Sequence, residues 1–167
     1  MHDFIAQLIE KKAVACGIES VGDPSPNPLG ITAENNRMEL LFLPETQKRV
    51  GRKIGRFKAA QANHRTVRTA QYEVEQVVVA TAYSTEFEFL KKLDVDFVKA
   101  LPKRIADPEN NCVRISVEKA EWKGLKNKVV DLKKKARVFH ITFKWFRASD
   151  KDVPLISSIR FKVNKEN

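Results

Sequence analysis

The spacing of apolar positions predicts two amphipathic helices. The first begins at Asp3 as N-cap and ends at Gly17. The second begins with a capping box made by Thr85 and Glu88 and is closed by Pro102. Its apolar stripe is the strongest periodic signal in the chain. The predicted apolar faces consist of Phe4, Ile5, Leu8, Ile9 and Ala15 in the first helix, and of Phe87, Leu90, Leu93, Phe97, Val98 and Leu101 in the second.

Alternating or continuous apolar runs predict β-strands on both sides of the second helix. The first two strands are expected to pair antiparallel, and the last two to be joined by a turn at 148–152. The order of elements indicates an α+β fold, a mostly antiparallel β-sheet with one central helix packed on a face and an N-terminal helix. The predicted strands are residues 37–43, 70–83, 112–118, 137–146 and 154–163.

Two connections are longer than the fold requires. Residues 22–30 hold prolines at every second position from Pro24 to Pro28, which predicts an extended connector. Residues 45–69 are expected to form a long loop between the first two strands, and loops of that length are usually functional or disordered. With 167 residues, the chain is expected to form a single domain over 1–167 that includes both connections.

Positive charge is concentrated in that predicted loop. The chain has a formal net charge of +10, and residues 47–68 hold eight Lys or Arg and no Asp or Glu. Such a segment suits an acidic protein surface or the phosphates of a nucleic acid. The candidate partner- or subunit-binding residues are Lys48, Arg49, Arg52, Lys53, Arg56, Phe57, Lys58, Arg65 and Arg68.

Catalytic and cofactor motifs are weak in this sequence. The glycines of the basic stretch do not form a phosphate-binding loop, and His2, His64 and His140 lack metal-ligand spacing. We therefore expect no metal, no cofactor and no catalytic residue. One alternative stays open, since Asp107 with Glu121 and Lys123 follows the D…ExK order of metal-dependent nucleases. Such short patterns arise by chance in a lysine-rich chain, and solvated charges are favoured.

Cysteine and hydropathy patterns bear on the compartment. Cys16 and Cys112 lie far apart in the sequence, which favours reduced packing residues over a disulfide. The N-terminal stretch lacks the features of a signal peptide, and no apolar run is long enough to span a membrane. We expect a soluble protein that is made in the cytoplasm and has no membrane partner.

Four stretches and their order carry a resemblance to a known family: DFIAQLIEKKAV, VEQVVVATAYSTEFEFLKKLDVDFVKALP, NNCVRISVEKAEW and RVFHITFKWFRASDKDVPLISSIRFKV. With these stretches, the chain as a whole resembles the tail terminator proteins of long-tailed bacteriophages. The resemblance implies a non-catalytic virion protein of the tail or neck, made in the host cytoplasm. Its copies would form a ring, expected to be a hexamer, that caps the tail tube and joins it to the head-tail connector. DNA would pass through the lumen without sequence-specific binding.

Two functions of the basic stretch remain open beside each other. Within a ring, the cations would contact neighbouring subunits or the tail tube protein with salt-sensitive strength. Alternatively, the chain is a non-specific nucleic-acid-binding domain that uses residues 47–68. Docking on protein is favoured, because Phe57 is the only aromatic residue in the stretch and no nucleic-acid-recognition motif accompanies it.

Overall fold

The computed structural model describes residues 1–24, 36–60, 63–125 and 134–155. Within these ranges the chain forms two helices and seven strands. The helices are α1 (His2–Ala15) and α2 (Phe87–Ala100). The strands are β1 (Ser20–Gly22), β2 (Arg37–Phe42), β3 (Thr46–Lys58), β4 (His64–Ser84), β5 (Arg104–Ala106), β6 (Cys112–Leu125) and β7 (Lys134–Pro154).

All seven strands belong to one sheet with the order β1-β2-β4-β7-β6-β5, and β3 pairs with β4 beside this path. The predicted β2–β4 pair is confirmed as antiparallel, with Arg37 opposite Tyr83 and Phe42 opposite Val78. The pairs β5–β6 and β6–β7 are also antiparallel, whereas the short β1 runs parallel to β2. The predicted α+β class is confirmed.

By its internal contacts the chain divides into two compact units. Unit 1 comprises Met1–Gln47 and Val74–Trp145, and unit 2 comprises Lys48–Glu73 and Phe146–Asn167. Strands β4 and β7 each supply residues to both units. The prediction of one domain over 1–167 stays a prediction.

The core of unit 1 lies between the helices and one face of its strands. Leu90, Leu93, Phe97 and Leu101 of the predicted α2 stripe are buried, as expected. Phe97 packs edge-on against Phe139 of β7, with ring centroids 5.1 Å apart. The remaining two predicted members of the stripe, Phe87 and Val98, are instead exposed. In α1, the residues that are buried are Ile5, Leu8, Ile9 and Ala13.

The predicted helix starts are wrong in detail. Met1 is the N-cap of α1, and Asp3 lies in the first turn, where its negative charge interacts favourably with the helix dipole. Glu86 is the N-cap of α2 without a side-chain cap. The expected capping box does not form, since Glu88 pairs with Lys91 at 2.8 Å. The predicted stop of α1 at Gly17 is confirmed by its φ of +92°, which glycine adopts without strain.

Three further predictions concern the turn at 148–152, the terminal strand and the Pro-rich connector. The turn expected at 148–152 is wrong, because β7 continues as a strand to Pro154. Almost all of the predicted terminal strand at 154–163, and most of the Pro-rich connector at 22–30, lie outside the described residues. Both cysteines are free thiols. Cys16 is partly buried, and burial raises its pKa, whereas Cys112 is exposed and is not the packing residue that was predicted.

Candidate functional site

The basic stretch lies mainly on a strand. β3 covers Thr46–Lys58, and β4 begins at His64, so the predicted loop over 45–69 is wrong. The five residues that join the two strands are too few for a parallel crossover, so β3 and β4 form an antiparallel hairpin. Gly51 of β3 has a φ of +59°, a conformation that glycine adopts at irregular positions of strands. In the sequence, such a glycine favours the prediction of a loop over that of a strand.

The cations of β3 form an extended, exposed array. The strand holds six Lys or Arg and no carboxylate, and all six are exposed. At about 3.3 Å per residue, the array extends for roughly 33 Å from Lys48 to Lys58. Adjacent cations such as Arg52 and Lys53 point to opposite faces of the strand, so both faces are basic. A linear array of this kind suits an extended polyanion or an acidic protein surface better than a single small anion.

Few side chains are buried in the part of unit 2 that the structure describes. Ala59 and Ala70 are the only buried residues in its described part, residues 48–60, 63–73 and 146–155. Polar contacts join β4 to β7 instead. Thr66 donates a hydrogen bond to Asp152 at 2.6 Å, and Gln71 donates to Ser149 at 2.9 Å. Among these described residues, backbone pairing and side-chain hydrogen bonds hold the hairpin more than hydrophobic burial does.

Phe57, Arg68 and Asp150 form a stack across β3, β4 and β7. The guanidinium of Arg68 lies 5.4 Å from the centroid of the Phe57 ring. Nε and Nη2 of Arg68 each donate a hydrogen bond of 2.8 Å to the Asp150 carboxylate, a bidentate pair. The Phe57 ring lies over Gly55, since a Cβ there would come within 2.8 Å of the ring.

The stack divides the predicted docking residues into two groups. Arg68 is already occupied by Asp150, so it positions the hairpin and is not a free cation. Arg52 stacks on the ring of Phe146 at 4.8 Å, yet its side chain stays exposed. Arg65 is exposed on β4. The side chains that remain available to a partner are Lys48, Arg49, Arg52, Lys53, Arg56, Lys58 and Arg65.

The Arg68–Asp150 pair predicts an acid-sensitive contact. Hydrogen bonds from Arg68 lower the pKa of Asp150 below its ordinary value. A lowered pKa means that the contribution is fully present above the ordinary aspartate pKa and is lost as the pH falls through the lowered value. We expect the Arg68 Nε–H signal in a ¹H–¹⁵N NMR spectrum to shift only in that acidic range. In Asp150→Asn the signal should already be shifted at pH 7. Asp152→Asn, the matched control, should leave it in place, and an unshifted signal in Asp150→Asn would contradict the pairing.

The D…ExK residues are not brought together. Asp107 accepts hydrogen bonds from the backbone N–H groups of Glu109 and Asn111, at 2.9 and 2.7 Å, so its carboxylate stabilises a turn. That turn lies where β5 meets the start of β6, and Glu121 lies nine residues further along β6. At about 3.3 Å per residue the separation is roughly 30 Å, too far for two carboxylates to hold one metal ion. Among the described residues, no three His, Cys, Asp or Glu side chains form a metal-binding group.

The histidines have structural partners. His2 hydrogen-bonds with Gln76 at 3.0 Å and stacks on Phe42. His140 lies 3.3 Å from Glu121, and hydrogen bonds from Lys119 and from His140 lower the pKa of Glu121. These contacts give His2 and His140 a role in packing and hydrogen bonding within unit 1.

A cavity of about 580 Å³ in unit 1 is lined in part by Glu39 and Tyr83, which form a polar triad with Arg37. Glu39 accepts a hydrogen bond from Arg37 at 2.7 Å and another from the Tyr83 hydroxyl at 3.0 Å. Burial, together with the Glu39 charge, raises the pKa of Tyr83 to about 12. Nothing in the sequence pattern pointed to this triad, because the β2–β4 register brings its members together.

The triad predicts a late tyrosine titration. A raised pKa means that the contribution of neutral Tyr83 is fully present below the ordinary tyrosine value of 10.0 and is lost as the pH rises to about 12. Absorbance at 295 nm should report this midpoint in a Tyr72→Phe background, which leaves Tyr83 as the only tyrosine. Adding Glu39→Gln should lower the midpoint towards 10. A midpoint of 10 in the Tyr72→Phe protein itself would show that the triad does not form.

Neither described helix has the length and apolarity needed to cross a bilayer. The candidate site on β3 is a surface array of cations, which can bind and orient an anionic partner. No protein-family model and no curated protein matches this chain.

Proposed function

We propose that this chain is a non-catalytic assembly subunit that forms a ring on the tail tube of a long-tailed bacteriophage. The observation that carries the proposal is the exposed basic array of β3, fixed on a hairpin by the Arg68–Asp150 pair. A pre-ordered array loses less conformational entropy on docking than a mobile loop would. The assignment to a tail ring comes from the order of elements, in which a strand feeds α2 and three strands follow.

In this function the array docks on acidic protein surfaces. The partners would be neighbouring copies of the chain, the tail tube protein and the head-tail connector, and DNA would cross the lumen without specific contacts. Rim charges of this kind mainly set association rate, register and salt sensitivity. The sheet of the described residues ends at β1 and β5, and closed head-to-tail contacts in a ring would cover such edges.

Assembly can be measured directly. We expect light scattering to show an oligomer, expected to be a hexamer, either for the chain alone or after addition of purified tail tubes. Arg49→Glu with Lys53→Glu should reduce that assembly, whereas Lys11→Glu with Lys92→Glu, which changes the net charge equally, should leave it intact. A monomer at high protein concentration that also fails to bind tubes would refute the proposal.

A second candidate is non-specific nucleic-acid binding by the same hairpin. The observation in its favour is the half-exposed Phe57 ring within the basic strand, since bases stack on aromatic side chains. It predicts retention of DNA at low salt and a steep loss as the salt concentration rises. Phe57→Ala should weaken binding to single-stranded DNA but not to an acidic protein. Equal binding of wild type and Phe57→Ala to single strands would remove this support.

A further inference from the structure

A second cationic cluster, far from β3 in sequence, lies in unit 1. The registers place Arg104 of β5 opposite Arg114 of β6, and Arg114 opposite Lys144 of β7. We call these three residues the basic ladder. Directly opposed side chains have Cβ atoms about 4.5–5.5 Å apart, and like charges there are destabilising. Glu75 approaches Lys144 at 2.9 Å, but among the described residues no carboxylate pairs with Arg104 or Arg114.

A groove of about 900 Å³ adjoins the basic ladder, and we call it the edge groove. Its lining is mixed: Lys99 and Lys103 join the ladder on the charged side, and none of the described lining residues is acidic. Four consecutive residues of β6, from Arg114 to Val117, line the edge groove, so it follows the edge of the strand rather than one face. Its apolar lining residues are Val98, Leu101, Pro102, Ile115 and Val117.

The edge groove begins where β5 stops covering β6. β5 pairs with residues 112–114, and the N–H of Ile115 still donates to the carbonyl of Lys103 at 3.0 Å. Beyond that point, the outer edge of β6 has no partner strand among the described residues. An uncovered strand edge offers backbone donors and acceptors to another extended chain.

We propose that the edge groove binds an extended acidic polypeptide segment with aliphatic side chains, which adds a strand beside β6 in line with β5. Carboxylates of the segment pair with Arg104 and Arg114 and remove the repulsion between these two cations. Its aliphatic side chains cover Val98, which is 37% exposed, and Val117. The cations extend over three strands, about 10 Å, which suits several carboxylates rather than one anionic head group. This inference does not depend on the ring, since it uses no residue of β3.

The test uses the full chain and a fluorescein-labelled twelve-residue peptide of alternating glutamate and valine. We expect binding by fluorescence anisotropy that Arg104→Glu weakens at least tenfold. This variant places opposite charges across the β5–β6 pair, so it should fold at least as well as the wild type. Lys11→Glu is the matched control, because Lys11 is exposed on α1 and belongs neither to the groove lining nor to the β3 array, and it should change the affinity less than twofold. Equal losses in both variants, or no binding by the wild type, would overturn the proposal.

Three further peptides separate the parts of the argument. A glutamate–serine peptide has the same charge and should bind at least fivefold more weakly, because it lacks aliphatic side chains. A glutamate–valine peptide N-methylated at every residue has no amide donor on either edge and cannot pair with a strand edge, so its binding should be lost. A lysine–valine peptide should not bind. Unchanged affinity of the serine or the N-methylated peptide would overturn strand addition. Laurate or a twelve-residue oligothymidylate would overturn it too, if either ligand bound more tightly than the peptide and if Arg104→Glu abolished that binding.

Discussion

Neutralising the basic array of β3 is expected to lower affinity for an extended polyanion roughly a hundredfold at low salt. The reason is that each cation of the array releases or replaces counterions when it meets a negative charge, so four lost cations remove most of the attraction. The same change should flatten the dependence of affinity on salt concentration. The measurement is fluorescence anisotropy with labelled polyglutamate and with a 20-base-pair DNA duplex at several salt concentrations. The variant changes Lys48, Arg49, Arg52 and Lys53 to glutamine.

A matched variant removes the same charge elsewhere. If the array is a specific surface, four glutamines in unit 1 should weaken binding only a fewfold; equal losses would mean that total charge alone is responsible. The two probes separate the two candidate functions, since a protein-docking array should retain polyglutamate at salt concentrations that release DNA. The opposite order would favour nucleic-acid binding. The control replaces Lys11, Lys12, Lys92 and Lys123.

The helices and the central strands were predictable because their signals are local and periodic. Leu90, Leu93 and Phe97 repeat at helical spacing, and a buried face of this kind leaves one stable arrangement against a sheet. The β2–β4 pair followed from two adjacent apolar runs. Exposed Phe87 and Val98 show the limit of that reasoning, since residues at the border of a helical stripe can face solvent or core depending on what packs beside them.

The basic hairpin was mispredicted because its strand has neither an apolar face nor clean alternation. Both faces of β3 are polar, and Gly51 and Gly55 are usually typical of turns. Pairing with β4 gives the segment its conformation, and no local pattern records that pairing. The strand at 148–152 of β7 was mispredicted as a turn for the same reason, since its hydrogen-bonding partners in β4 lie about 80 residues earlier in the chain.

The features of the candidate sites that were not predictable from the sequence all depend on strand register. Arg68 appeared to be a docking cation, but Asp150 lies 82 residues away in the sequence and pairs with it. The basic ladder needs two registers at once, and a bulge between Val117 and Lys119 shifts one of them further along β6. The sequence shows where the positive charges lie along this chain. The strand pairings then separate the cations into paired residues, the β3 array and the basic ladder.

Phe97→Ala is expected to destabilise the protein by about 3–5 kcal/mol. Phe97 has no exposed surface, and its ring packs edge-on against Phe139 across the interface between α2 and β7. Removing it leaves a cavity and also forfeits the aromatic contact. Urea denaturation followed by circular dichroism should show the loss as a lower midpoint.

Phe57→Ala deletes the same side chain in unit 2 and serves as the control. Its ring is 50% exposed and contributes mainly the contact with Arg68, so the expected cost is about 0.5–1 kcal/mol. A comparable loss in both variants would mean that the hairpin, and not the core of unit 1, governs global stability. Hydrogen exchange adds a finer test, because strands β4 and β7 run through both units. If Phe97→Ala speeds amide exchange equally along all of β4, the basic hairpin folds together with the core; faster exchange at 74–84 alone would show that the hairpin is held by its own polar contacts.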